Sequence, residues 1–202
     1  MKLTIIGDVH ENIHEYEKII TNCESSICVG DFGFKHCWDW HMSHEEFAGR
    51  HIIIPGNHDD YSHPHILYNG LGSHSIGNYK FWEGYSIFTV RGAESIDKHL
   101  RNEGIDWFVN EELNYQEQLE AFDQYVKLKP RIVISHDCPQ SVMEKLFGYS
   151  EKSQTRTMLE MMFQEHQPDL WVFGHHHKSK DVQIGKTRFI CLAELEIFEI
   201  EL

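Results

Sequence analysis

Short apolar runs alternate with amphipathic stretches along this chain, which indicates a regular succession of strands and helices. Apolar runs of strand length cover residues 2–7, 26–30, 51–54, 86–90, 131–135 and 170–173. Apolar residues recur at helical spacing over residues 13–23, 113–128 and 153–166. Residues 182–202 predict two or three antiparallel strands, interrupted at Gly185-Lys186. Strand–helix alternation followed by a β-rich end predicts an α/β fold with layered, mixed sheets.

Two of the helical patterns predict which side chains enter the core. These core faces consist of Leu119, Phe122 and Val126 in the first, and of Met158, Met161, Met162 and Phe163 in the second. The methionines indicate core filling rather than a cofactor site, because flexible thioether side chains fill irregular gaps between elements. The acidic stretch 110–120 predicts a solvent-exposed helix face, with the border of an active site as the alternative.

Length and composition limit the class of protein. A chain of 202 residues predicts one domain, 1–202, that can bury a core without disulfides. Five cysteines without a Cys-x-x-Cys pair favour a reducing compartment. No run approaches the roughly 20 apolar residues that span a bilayer, and the first residues read as a core strand rather than a signal peptide. We therefore expect a cytoplasmic protein without a membrane partner.

The net charge of −14 disfavours non-specific binding to nucleic acid or to anionic lipid. An anionic substrate must therefore be attracted by a local positive site rather than by the overall field of the molecule.

Five short motifs place metal-binding side chains beside a glycine or a proline. They read Gly-Asp-Val-His at 7–10, Gly-Asp-Phe-Gly at 30–33, Gly-Asn-His-Asp at 56–59, Ser-His-Asp-Cys-Pro at 135–139 and Gly-His-His-His at 174–177. Each ends or follows a strand-like run. Because strand ends can converge at one edge of a sheet, the motifs together predict a single active site.

The motifs supply oxygen and imidazole ligands without a thiolate. The candidate metal ligands are Asp8, His10, Asp31, Asn57, His136, His175 and His177. Asp31 is the candidate bridge between two cations, because a carboxylate has two oxygens, whereas His176 should point away from the site. Two divalent cations beside the two carboxylates leave a local charge of about +2, which suits a phosphate dianion. These ligands favour manganese, with iron, zinc or nickel as alternatives.

In this order, the motifs resemble the calcineurin-like metallophosphoesterase family over positions 8–177. The resemblance implies a four-layer αββα sandwich, with helices outside two mixed sheets and the site at the strand ends. One implied metal site consists of Asp8, His10, Asp31 and His177, and the other of Asp31, Asn57, His136 and His175. The resemblance also implies that His58 protonates the leaving oxygen while a water activated by the two metals attacks phosphorus in line.

The second motif departs from the pattern of the protein phosphatases in this family, which continue it as Gly-Asp-x-x-Asp-Arg-Gly. Phe34 occupies the position of the carboxylate that pairs with the catalytic histidine, and Lys35 that of the phosphate-binding arginine. Another group must therefore orient His58, and Asp59 is the candidate. Lys35 stays a candidate phosphate contact. The Gly-Asn-His-Asp motif without that arginine is equally compatible with a phosphodiesterase.

Basic side chains follow the strand-like run that ends near residue 90. Among Arg91, Lys98 and Arg101 we expect at least one phosphate contact, since a guanidinium can bind two phosphate oxygens at once. The alternative is a structural salt bridge to Asp97 or Glu94.

These observations predict a two-metal phosphoesterase that hydrolyses P–O bonds in a phosphorylated small molecule or phosphoprotein. We expect a phosphomonoesterase, namely a phosphoprotein or nucleotide phosphatase. The alternative is a phosphodiesterase acting on cyclic or dinucleoside phosphates or on nucleic-acid ends. A non-catalytic binding module on the same fold is the alternative of a different class. Loss of several ligands or of the proton donor would be its signature. This chain retains the full ligand set and His58.

Overall fold

The computed structural model describes residues 2–33, 39–40, 43–44, 50–62, 76–81 and 85–202. Over 76–81 and 85–86 it describes the backbone alone. Phe34 and Lys35, where the second motif departs from the protein phosphatases, lie outside the described residues.

Ten strands and four α-helices occur within the described residues. The strands are β1 Lys2–Ile6, β2 Ser26–Cys28, β3 His51–Ile53, β4 Ile76–Phe81, β5 Tyr85–Val90, β6 Ile132–Ser135, β7 Leu170–Phe173, β8 Lys180–Ile184, β9 Thr187–Cys191 and β10 Ile197–Glu201. The helices are α1 Ile13–Ile20, α2 Tyr115–Leu128, α3 Gln140–Phe147 and α4 Gln154–Glu165, and a short 3-10 turn covers Lys98–Leu100. None of these helices has the length and apolar character required to cross a membrane.

The strands form two mixed sheets, as the sequence predicts. The order is β10-β1-β2-β3 in the smaller sheet and β4-β5-β6-β7-β9-β8 in the larger. The pairs β1–β2, β2–β3, β5–β6, β6–β7 and β7–β9 are parallel. The C-terminal region forms three strands, but they do not form one antiparallel unit. The β8–β9 hairpin extends the larger sheet, whereas β10 pairs antiparallel with β1 in the smaller one.

Side chains along each strand alternate between the two faces of its sheet, so each sheet packs on both faces and the fold has four layers. Leu3 and Ile5 of β1 lie in a buried cluster between the sheets, together with Ile134 of β6. Ile6 belongs to the cluster on the opposite face of the smaller sheet, where it packs with Tyr16 of α1. A third cluster buries the other face of the larger sheet against α2, α3 and α4. The order is therefore helix, sheet, sheet, helices, which confirms the predicted sandwich.

Two residues assigned to core faces lie at the surface instead. Met161 is 51% exposed and Leu119 is 42% exposed. On α2 the buried residues are Ala121 and Tyr125, and the predicted Phe122 packs against the same cluster. The buried stripe of a helix is set by its orientation against the sheet, so helical spacing alone does not predict its edges.

Candidate metal centre

Loops at the carboxyl ends of parallel strands from both sheets supply the candidate ligands. Asp8 follows β1 and Asp31 follows β2, whereas His136 follows β6 and His175 follows β7. Because the two sheets pack face to face, their loops meet at one edge of the sandwich. The structure thus brings all the sequence-predicted ligands together.

Several of these ligands have left-handed backbone conformations. The φ angles are 45° at His10, 47° at Asp31, 64° at His175 and 51° at His177. Positive φ at a non-glycine residue costs conformational energy and concentrates at functional sites. The His10 amide donates to the Asp31 carbonyl at 2.7 Å, so the first two motif loops support each other.

One candidate metal group consists of Asp8, His10, Asp31 and His177. Each residue offers one ligand atom, and these atoms all lie within 4.8 Å of one another. Nε2 of His177 lies 2.8 Å from Nε2 of His10 and 3.5 Å from Oδ2 of Asp8. Nε2 of His10 lies 3.7 Å from Oδ2 of Asp31. Four donor atoms therefore face a common point.

A second candidate group consists of Asp31, His136 and His175. Nε2 of His136 lies 3.3 Å from Oδ1 of Asp31 and 3.0 Å from Oδ1 of Asn57. Nδ1 of His136 lies 3.0 Å from the Val29 carbonyl oxygen, a contact that favours the proton on Nδ1 and leaves the Nε2 lone pair for a metal. Asp31 belongs to both groups, as a bridging carboxylate must.

The buried carboxylates of Asp8 and Asp31 make this centre suitable for binding cations. Oδ1 of Asp8 is buried without a hydrogen-bond partner among the described residues, and burial raises the pKa of Asp8 well above its usual value. Burial acts in the same direction on Asp31, but His136, His58 and His10 outweigh it and hold its pKa below the usual range. Burial lowers the pKa of His136, yet Asp31, Asp8 and Asp137 raise it to about 10. The centre therefore strongly favours positive charge.

Two motif glycines permit this close packing. A Cβ atom at Gly174 would lie 2.2 Å from Oδ1 of Asp8, and one at Gly56 would lie 2.3 Å from Oδ1 of Asp31. Any side chain at these positions would displace a carboxylate that belongs to a candidate metal group.

A buried relay positions Asn57. Its amide nitrogen donates to Oγ of Ser95 at 3.0 Å, and Ser95 donates to Oε2 of Glu111 at 2.7 Å. Glu111 is 3% exposed, so the prediction of a solvent-exposed acidic face over 110–120 is wrong at this residue. Ser95 and Glu111 were missed because nothing local in the sequence connects them to the third motif.

Asp137 organises the side of the centre that His176 occupies. Oδ1 of Asp137 accepts from the Cys138 amide at 2.7 Å and lies 3.2 Å from Nε2 of His176. Oδ2 of Asp137 lies 3.1 Å from Nε of Arg156, which is also buried. His176 thus points away from the two ligand groups. Burial raises the pKa of Asp137, but His175, His176 and Arg156 outweigh it and hold that pKa below its usual range. The sequence contained no signal for this buried pair.

His58 lies beside the ligands and contacts a cationic side chain. Its backbone amide donates to Oδ1 of Asp31 at 2.8 Å. The guanidinium nitrogens of Arg101 lie 3.0 Å from Nε2 and 3.3 Å from Nδ1 of the His58 ring. Asp97 holds Arg101 in place, with 2.8 Å between Oδ1 and Nε. Burial lowers the pKa of His58, Asp31 opposes this, and Arg101 adds to the lowering.

Asp59 connects two motif loops. Its carboxylate oxygens accept from the amides of Gly33 at 2.8 Å and Gly56 at 2.6 Å. Burial and the nearby Asp31 raise its pKa to about 7, although both amide hydrogen bonds oppose this. The contacts to the His58 ring come from Arg101 and from the His10 ring, whose centroid lies 5.2 Å away. That Asp59 orients His58 stays a prediction.

Of the three basic candidates for a phosphate contact, only Arg101 lies in the cleft at the metal centre. Arg91 is buried, donates to Glu117 at 3.1 Å and lies over the Tyr61 ring, so its role is structural. Lys98 pairs with Glu94 at 2.6 Å, which is the salt bridge considered as the alternative. Lys35 lies outside the described residues.

A cleft of about 680 Å³ opens over the centre. It is lined by His58, Asp31 and the histidines of the fifth motif. Arg101, Asp97, Met143 and Phe147 also line it. A volume of this size is typical of small-molecule sites, which occupy about 300–1,000 Å³.

A two-sheet sandwich whose strand ends carry paired oxygen and imidazole ligand groups defines a metallophosphoesterase. The profile of the calcineurin-like phosphoesterase family matches residues 1–179. The chain belongs to that family, whose members use two metal ions to act on phosphorylated substrates.

Solved structures of the same fold share little sequence identity with this chain. A phosphopantetheinyl hydrolase from Mycobacterium tuberculosis superposes with a TM-score of 0.60 at 13% identity, over 96% of this chain and 89% of that one. A dimetal phosphatase from Danio rerio gives 0.57 at 13% identity, over 96% and 88%. An archaeal phosphodiesterase gives 0.50 at 16% identity, over 100% of both chains. No curated protein matches the sequence.

Proposed function

We propose that this protein is a two-metal phosphoesterase that hydrolyses phosphate monoesters. One observation carries the proposal. The two ligand groups that share Asp31 open into the same cleft as His58 and Arg101. Metal ligands, a candidate proton donor and a candidate phosphate-binding cation are thus within reach of a single phosphate group.

Each of the two ligand groups would hold one cation. Asp8, His10, Asp31 and His177 would hold one cation, and Asp31, Asn57, His136 and His175 the other. When bound, the two cations would polarise the phosphate and lower the pKa of a water molecule. The nitrogen and oxygen donors favour manganese, with iron, zinc or nickel as alternatives.

Arg101 binds the phosphate in this proposal. Its guanidinium is planar and charged, and Asp97 fixes its direction beside the His58 ring, where Arg101 lines the cleft. The metal centre together with Arg101 carries a positive charge that suits a dianionic monoester better than a monoanionic diester.

His58 protonates the leaving oxygen in this proposal. Its ring faces the cleft beside both ligand groups, and the Asp31 contact to its amide ties its position to the centre. Arg101 contacts the same ring and lines the same cleft, so phosphate and leaving oxygen would bind beside two positioned groups.

A panel of phosphate esters tests the reaction class. After chelation and re-addition of manganese, we expect kcat/KM for alkyl and nucleoside monoesters to exceed that for cyclic and dinucleoside diesters by at least about tenfold. The cleft has room for a second ester substituent, so a diesterase is the second candidate, and preference for diesters would replace our proposal with it. Bound metals without hydrolysis of any ester would instead indicate a binding module.

Replacing Arg101 by alanine should weaken phosphate binding. We expect KM for a monoester and the inhibition constant of inorganic phosphate to rise about 10- to 100-fold, because hydrogen bonds to charged groups contribute about 1.5–3 kcal/mol. Steady-state kinetics measure both constants. Arg131→Ala is the matched control, since Arg131 pairs with Asp169 at the surface. Equal inhibition constants in the two variants would show that Arg101 does not contact phosphate.

A further inference from the structure

Apolar and aromatic side chains line the same cleft as the metal centre and belong to neither candidate ligand group. The surface that we call the α3 wall consists of Met143 and Phe147 of α3 and of Tyr149 just beyond the helix. Met143 is buried, whereas Tyr149 is 53% exposed. A single phosphate group does not need an aromatic surface of this kind, so the α3 wall is available to another part of the substrate.

The α3 wall is fixed relative to the metal centre. The Phe147 ring stacks on His176, with ring centroids 4.2 Å apart and an interplanar angle of 27°. His176 lies in the chain between the candidate ligands His175 and His177, and its Nε2 contacts Asp137. A group bound on the wall would therefore have a defined position relative to the phosphate.

The polar residues of the cleft limit the chemistry of that group. Glu151 lines the cleft and disfavours a leaving group that carries further negative charge, whereas the Asp97 carboxylate is paired with Arg101. Lys178 also lines the cleft, with Nζ 6.0 Å from the Phe147 centroid, and can donate hydrogen bonds to a neutral polar ring. Aromatic surface with a few polar groups at its edge suits a planar heteroaromatic ring.

We propose that the α3 wall stacks the base of a nucleoside monophosphate and thereby selects this substrate class, an inference that rests on the proposed function. Hydrolysis would form a bond between a water oxygen and phosphorus and break the ester P–O bond. The nucleoside oxygen would leave with a proton, and inorganic phosphate would remain. Contacts to a base remote from the reacting bond can raise kcat/KM without any change in the metal centre.

The test compares a nucleoside 5′-monophosphate with glycerol 3-phosphate, an aliphatic monoester. We expect wild-type kcat/KM to be at least about tenfold higher for the nucleotide, because stacking contributes about 1–3 kcal/mol per base. Tyr149→Ala should remove most of that preference and leave the values for glycerol 3-phosphate unchanged, whereas Tyr149→Phe should retain it. Tyr115→Ala is the matched control, because Tyr115 is 74% exposed at the start of α2.

A binding measurement separates this inference from the proposed function. Calorimetric titration with the nucleoside monophosphate, with and without manganese, should give a dissociation constant at least about fivefold weaker in Tyr149→Ala than in Tyr115→Ala. If no ester is hydrolysed but this difference persists, the proposed function is wrong and the stacking site stands. Equal dissociation constants, or a higher wild-type kcat/KM for glycerol 3-phosphate or for a phosphopeptide, would overturn the inference.

Discussion

Replacing Asp31 by asparagine should remove one of the two cations and lower turnover by at least about 100-fold. Oδ1 of Asp31 lies 3.3 Å from Nε2 of His136 in one ligand group, and Oδ2 lies 3.7 Å from Nε2 of His10 in the other. Asparagine offers a single, neutral oxygen, so it cannot provide one negatively charged oxygen to each of the two cations. Loss of a partner outside the ligand set already costs about 10- to 100-fold in metal affinity, and loss of a ligand should cost more.

Metal analysis after equilibrium dialysis provides the primary measurement. We expect two manganese ions per chain in the wild type and about one or fewer in Asp31→Asn. Asp181→Asn is the control, because Asp181 pairs with Arg188 on the surface. Two tightly bound ions in Asp31→Asn would contradict a bridging role. Circular dichroism of both variants would show whether any loss of metal is a consequence of unfolding.

Replacing His58 by alanine should leave both metals in place and lower kcat for an alkyl monoester by about 10²- to 10⁴-fold, the usual effect of a positioned acid. The ring of His58 faces the cleft but does not belong to either ligand group. The backbone amide of His58 donates a hydrogen bond to Oδ1 of Asp31, and alanine retains this hydrogen bond. Activity should therefore change while metal content does not.

The dependence on leaving group distinguishes proton donation from a positioning effect. A nitrophenolate leaves readily without a proton, whereas an alkoxide does not, so His58→Ala should affect the aryl ester much less. Equal losses for both esters would show that His58 acts by another route, and wild-type turnover would eliminate any role. His14→Ala, at an exposed position of α1, is the control.

The candidate site was predictable from sequence because its ligands occur in short motifs directly after strands. Each ligand needs a local feature, such as Gly56 beside Asn57 or Gly174 beside His175, and such features are visible in a single chain. The ordered set of motifs then predicted that the loops of both sheets would meet. The structure brings these residues together as expected, and the family match confirms the class of protein.

The supporting residues were not predictable, because they reach the site from distant parts of the chain. Glu111 reaches Asn57 through Ser95, and Arg156 reaches the site through Asp137. In the sequence, Glu111 is one of several acidic residues and Arg156 is one basic residue in a helix. Their functions depend on burial, which local spacing does not encode.

Two elements were missed for local reasons. Helix α3 has only eight residues, too few for a helical period to stand out, although Val142 and Met143 are buried. Strand β4 contains Gly77 and Asn78, which are uncommon in strands, and it forms as the edge of the larger sheet by pairing with β5.

By itself, the sequence determined the layered sheets, the candidate ligand set and the family, because alternation and short motifs are properties of neighbouring residues. Only the tertiary structure decided which of the two predicted phosphate-binding arginines lines the cleft. Arg91 and Arg101 look equivalent in the chain, but burial pairs Arg91 with Glu117, whereas Asp97 directs Arg101 to His58. Electrostatic roles depend on distances between distant segments, and the packing of two sheets and their loops sets those distances.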